Sequence, residues 1–437
     1  MRRSLAAALC VVLVGACGSR EPSKARADQQ PTAEKKSSDT LILPQAPPKG
    51  SAAAAAAASA AAAERGDSED DSDNGGELPE ARCPISPTKK RDYDALLDIA
   101  VQRLEKLDFA AAAGCADIAS DLEPWSVEAH HLRAAGLAGM GRFSDAQVAY
   151  AMALALDPDD PETLAAAAHF YINTLPPKTR ESTLVGLEHA RRGTARALAR
   201  YRKNKPLRAR LALLEAQALN DLARADEALN RVNEALHLQP DLPEARYERG
   251  VALFNLCRFE EAAAAFKAVL RLSPNDPYAH YHLGLIYERD GREADAEAHL
   301  RRAWQNPSGE FTRPVAITAA EFHAEVDKAI DELPEDTRKL LDGVTVETVD
   351  LPARADLVAV DPPFAPTILG LFRGLPKGMA DPTGTAPPRA ILLYRRNLAR
   401  AVRTREELNR QIRRTLLHEI GHVAGLDEDE LRRRGLD

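Results

Sequence analysis

Towards its C-terminal end the chain reads Thr415-Leu-Leu-His418-Glu419-Ile-Gly-His422-Val-Ala-Gly425-Leu-Asp427-Glu428. Positions i and i+4 of a helix share a face, so His418 and His422 can present two imidazoles to one metal ion. Glu419 then stands where it can take the proton of a water activated there, as hydrolysis of an amide requires. Catalytic zinc uses three protein ligands and keeps one position open. Gly425 can adopt positive φ and turn the chain back toward the metal. On spacing, the third ligand is expected at Glu428, with Asp427 as the alternative. The expected cofactor is Zn²⁺.

The elements that must hold these residues follow from periodicity. A helix from about Thr404 to Ala424 places Leu408, Ile412, Leu416, Ile420 and Val423 on one core face, with the two histidines flanking it. Upstream lie a helical stretch from Ala319 to Leu333 and two strand-like runs, Val344–Val349 and Ala390–Tyr394. A Pro/Gly-rich span separates the two runs and contains Thr367-Ile-Leu-Gly-Leu-Phe-Arg-Gly374. A strand near Ile391 is expected to pair with an extended peptide by β-addition.

The block Glu321–Leu436 resembles the small bacterial zincin-like metallopeptidase family, which carries a minimal version of the fold. The resemblance rests on Asp331-Glu-Leu-Pro-Glu335, Leu369-Gly-Leu-Phe-Arg-Gly374, Ile391-Leu-Leu-Tyr394 and the run from His418 to Leu431. It implies a small α+β domain over 315–437 that hydrolyses peptide bonds.

Preceding this block is a repeat. Pro124 and Pro158 lie 34 residues apart, as do Pro240 and Pro274, which sets windows 93–126, 127–160, 209–242, 243–276 and 277–310. Small residues recur at the eighth position (Ala134, Ala216, Gly250, Gly284) and the twentieth (Ala112, Ala146, Ala228, Ala262, Ala296), and Tyr150, Val232, Phe266 and Leu300 take the twenty-fourth. The pattern resembles the tetratricopeptide repeat, two packed helices per unit, with 161–208 as an irregular repeat carrying an insertion. The fold expected is mainly α, an α-solenoid over 91–310 followed by the zincin-like domain. Such arrays hold a protein or peptide in a concave groove. By resemblance Tyr247, Phe254, Asn255, Tyr278, Tyr281 and Arg289 would line it.

Residues 1–16 read as a signal peptide, with Arg2 and Arg3 before the apolar Leu5–Val14. Gly15-Ala16-Cys17 resembles a lipobox, which implies lipidation of Cys17 and anchorage in the cell envelope, with the outer membrane favoured by Gly18. Residues 17–90 are low-complexity and block-charged, the composition of a disordered tether. Net charge is −8 and there is no basic stripe interleaved with aromatics, which excludes nucleic acid as a partner class. The five cysteines form no C-x-x-C pair, so no cysteine-zinc site is expected. Cys83, in the presumed tether, is expected not to bond Cys115, and Cys257 reads as a packed thiol. His280 and His282, two apart on a helix, point to different sides, His130 and His131 are adjacent and form no metal pair either, and His323 reads as a surface-helix histidine rather than a helper of the site. The expected function is a lipid-anchored zinc metallopeptidase whose repeats recruit a protein. The alternative is a scaffold lipoprotein with a structural or degenerate zincin domain.

Overall fold

The 34-residue register folds as stacked helix pairs. A computed structural model describes residues 80–84, 92–306, 311, 313–381, 384 and 386–436. The signal peptide, Cys17 and the tether as far as residue 79 lie outside the described residues. The pairs are α1 Tyr93–Glu105 with α2 Phe109–Leu122, α3 Val127–Gly139 with α4 Phe143–Leu156, and α5 Pro161–His169 with α6 Arg180–Arg200. Then follow α7 Lys205–Asp221 with α8 Ala225–Leu238, α9 Pro243–Asn255 with α10 Phe259–Leu272, and α11 Pro277–Arg289 with α12 Glu293–Trp304.

Local chemistry sets these boundaries. Ser126, Asp160 and Asp276 cap the first helices of three repeats by accepting a hydrogen bond from an N–H three residues on. Within the five regular pairs the turn residue is always left-handed: Leu107 (φ 59), Gly141 (78), Ala223 (58), Cys257 (56) and Gly291 (71). Small residues then let the two helices of a pair close. A Cβ on Gly250 would meet Phe266 at 2.6 Å, and one on Gly284 would meet Leu300 at 2.6 Å. The irregular repeat departs where α5 passes into a π-helical turn, Phe170–Thr174, and its second helix runs for 21 residues.

Contrary to expectation, Cys83 and Cys115 form a disulfide. The segment 80–84 lies on α2, close enough that a Cβ on Gly114 would meet the Cys83 nitrogen at 2.6 Å. Only the absence of a side chain at Gly114 admits this approach, and local sequence pattern carries no trace of it.

The C-terminal block comprises α13 Ala319–Asp331, α14 Glu335–Arg338, β1 Thr345–Val349, α15 Arg354–Leu357, β2 Gly370–Arg373, β3 Ala390–Tyr394, α16 Arg395–Arg400, α17 Arg405–Val423 and α18 Glu428–Arg433. The sheet order is β1-β3-β2, with β1 parallel to β3 and β2 antiparallel to it. The strand around Ile391 is therefore central, and both its edges are occupied. It cannot add a peptide strand, which corrects the expectation above.

β3 is buried along its whole length. Ile391 and Leu393 face the core built with α13 and α17, while Ala390, Leu392 and Tyr394 join the core of the last two helical repeats. Five apolar residues in succession are what a strand covered on both faces requires. The seam is also polar. Arg289 donates to Pro352 O at 2.6 Å, Arg396 pairs with Glu288 at 2.7 Å and Glu293 at 3.0 Å, and Arg400 also pairs with Glu288.

This seam corrects the expected groove. Tyr247, Phe254 and Tyr278 are buried in the shared core, and Tyr281 stacks on Phe311 with ring centroids 4.7 Å apart. Arg289 is engaged by the C-terminal block, and Asn255 is half-buried. Tyr247, Phe254, Tyr278 and Arg289 are thus taken up by the seam between the repeats and the C-terminal block.

Candidate metal centre

Helix α17 starts from a reciprocal cap between Thr404 and Glu407 and buries Leu408, Ile412, Leu416, Ile420 and Val423. That stripe fixes its rotation and brings His418 and His422 to one side, their side chains 12% and 25% exposed. Gly425, at φ 86, ends the helix, and Leu426 N–H returns to Gly421 O at 3.0 Å. The chain then re-enters a helix at once, capped by Asp427, whose carboxylate accepts from Glu430 N–H at 2.8 Å. Asp427 is thus used as a cap. Glu428, the first residue of α18, turns its carboxylate to the histidines instead.

His422 Nε2 lies 3.2 Å from His418 Nε2 and 3.2 Å from Glu428 Oε1, and His418 Nε2 lies 3.6 Å from the same oxygen. Zinc bound tetrahedrally at its usual distances sets ligand atoms about 3.3 Å apart. The three donors already stand near that spacing. The other Glu428 oxygen, Oε2, is buried without a hydrogen-bond partner. Outer nitrogens are held too: His418 Nδ1–H donates to Leu436 O at 2.8 Å and His422 Nδ1–H to Leu426 O at 3.0 Å. Backbone carbonyls of this kind fix the ring and leave Nε2 for a metal. The donor set fits zinc.

Charge follows geometry. Burial opposes ionisation of Glu428, but hydrogen bonds from both histidines hold its carboxyl down at about 2. Burial would depress the imidazoles, yet Glu428 and Glu419 raise His418 to about 8 and His422 above its ordinary value. Glu419 is 6% exposed, and burial pushes its carboxyl upward against the pull of the two histidines. It accepts a hydrogen bond from Phe372 N–H in β2. Its neighbour Gly370 leaves it room, since a Cβ there would meet Glu419 Oε1 at 2.8 Å. Sequence reasoning missed Gly370 and Phe372. The quoted run Leu369–Gly374 contains both, but nothing local to it announces that α17 crosses at that point.

The family comparison agrees with this geometry. Residues 341–436 match the model of the zincin-like metallopeptidase family. The C-terminal block is similar to a zincin-like metallopeptidase domain. Residues 213–277 and 247–310 match the tetratricopeptide repeat. Similar solved structures include the type IV pilus biogenesis factor PilW, at 16% identity and TM-score 0.43, covering 50% of this chain and 94% of its own. PilF of Pseudomonas aeruginosa aligns at 14% identity and TM-score 0.42, covering 50% and 93%. A tetratricopeptide repeat protein from Parabacteroides merdae aligns at 15% identity and TM-score 0.39, covering 57% and 90%. Comparison with curated proteins gave no match.

The remaining candidates separate clearly from the zincin-like domain's donor set. Among the described residues, His418, His422 and Glu428 are the group able to hold a metal. His131 bonds Thr163, and His280 bonds His299 and Pro274 O. His282 is buried and stacked on Phe266. Cys257 is a buried free thiol. No described helix is long and apolar enough to cross a membrane.

Proposed function

We propose that this protein is a zinc-dependent peptidase held in the cell envelope, its helical repeats recruiting a protein partner or substrate. The observation that carries the reading is the convergence of His418, His422 and Glu428 at ligand-to-ligand spacing beside a buried glutamate. His418 Nε2, His422 Nε2 and a Glu428 oxygen would hold the ion. Zinc supplies Lewis-acid polarisation of a carbonyl and makes a water acidic enough to be deprotonated near neutrality.

The chain's own groups do the rest. Glu419 takes the proton of the attacking water on a carboxylate oxygen and returns it to the departing amine. Its raised pKa brings it closer to the working pH, which suits a group that must both accept and release a proton. Phe372 N–H holds one orientation of that carboxylate. Partner recruitment falls to the repeats upstream of α9, because the chain's own second domain occupies the last two.

Lipidation at Cys17 and an envelope location rest on the signal-like N-terminus. The Cys83–Cys115 disulfide supports them, since such bonds persist in oxidising compartments outside the cytoplasm. Metal content of the purified protein, with peptide hydrolysis before and after chelation, tests the proposal. We expect about one zinc per chain and hydrolysis that chelation removes and added zinc restores. Tightly bound zinc without hydrolysis of any peptide would favour the scaffold reading.

A further inference from the structure

Between the two histidines α17 carries Gly421, a residue that costs an exposed helix interior about 1 kcal/mol relative to alanine. Its surroundings explain it. A Cβ built there would meet Leu431 Cδ2 at 2.3 Å. Leu431 is fully buried and belongs to α18, the short helix that crosses α17 at this notch. Leu431 Cγ also lies 3.5 Å from that position, so the leucine has to turn away or carry α18 with it.

The two ends of α18 both serve the metal centre. Glu428, its first residue, supplies the carboxylate that faces His418 and His422. At the other end Gly435 turns left-handed at φ 68, and Leu436 N–H returns to Leu431 O at 3.0 Å. This closure aims Leu436 O at His418 Nδ1. Leu431 lies between the two ends and is the residue of α18 that is buried to zero exposure.

We propose that Leu431 seated against Gly421 is the positioning device of the metal centre. It registers α18 on α17, so that the third ligand and the carbonyl orienting the first histidine arrive together. Neither residue touches the metal, so both are positioning residues. The inference rests on the zinc reading above and goes beyond it, because it assigns roles to two apolar positions that supply no ligand.

The test measures zinc affinity of the full chain by competition with a chromophoric chelator, and the visible spectrum of the cobalt-loaded protein. Gly421→Ala and Leu431→Ala should each weaken zinc binding about 10–100-fold, the range seen when the supports of ligands are lost. Both should also change the intensity of the cobalt ligand-field bands, which report coordination geometry. The double variant Gly421→Ala/Leu431→Ala removes the overlap and should recover part of the loss in Gly421→Ala. Thermal denaturation of the metal-free proteins separates folding from positioning. Lowered thermal stability with unchanged zinc affinity and cobalt spectrum would overturn the proposal. Failure of the wild-type chain to bind zinc would instead overturn the zinc reading itself.

Discussion

Buried histidines occur in both halves of this molecule, and their protonation is driven in opposite directions. In the solenoid, His131 and His282 are 5% and 3% exposed, and burial lowers both to about 4. In the zincin-like domain, burial acts on His418 in the same sense, but Glu428 and Glu419 override it and hold the ring at about 8. Desolvation wins where the partners are neutral, such as the Thr163 hydroxyl or Tyr278 O. Charge wins where a carboxylate is held in place by the fold. A buried histidine is thus no sign of a site until its partner is known.

Removing that carboxylate is the most severe way to break the contrast. Glu428→Ala deletes the proposed third ligand and the charge that sets the histidines apart, so zinc affinity should fall by more than the roughly 100-fold that marks loss of a ligand's support. Chelator competition reads this directly.

The solenoid histidines give the next effect. Their folded pKa is depressed below the ordinary 6.5, so the unfolded chain takes up protons first as pH falls. Their cost to stability is absent above about pH 6.5, grows as pH drops, and is complete near pH 4, on the order of 3 kcal/mol for each by linkage. Urea midpoints measured across this window should decline for wild type and decline less steeply for His282→Phe.

A smaller test sharpens the assignment of the acid. Asp427→Asn keeps a good helix cap and loses only charge. Zinc affinity should stay within about threefold of wild type if Asp427 is a cap and Glu428 the ligand. A loss matching that of Glu428→Ala would reverse the two roles.

What the sequence made legible was local. Two histidines four apart, Gly425 and Glu428 lie within eleven residues, and one helix face followed by a glycine turn brings them together. The repeats were readable because the same small and large residues recur at a fixed interval. Contacts formed across the chain left no such trace. Arg396 and Glu288 are 108 residues apart in sequence, and neither differs locally from a surface charge. Tyr247, Phe254 and Tyr278 read as groove residues because the repeat pattern says which face they are on, and says nothing of what covers it. The run Ala390–Tyr394 did carry a hint, since unbroken apolar character implies cover on both faces of the sheet. β2 was missed because four residues beginning at Gly370 and ending at Arg373 show no alternation.

The central claim is that Glu419 is the base of a working zinc centre. Glu419→Gln keeps the size of the side chain, removes its basicity and leaves the three donors in place. Zinc content and peptide hydrolysis, measured together on wild type and this variant, test the claim most directly. We predict equal zinc and turnover reduced by about 10²–10⁴-fold, the range that general acid–base catalysis supplies. Turnover that survives the substitution with zinc still bound would contradict the account.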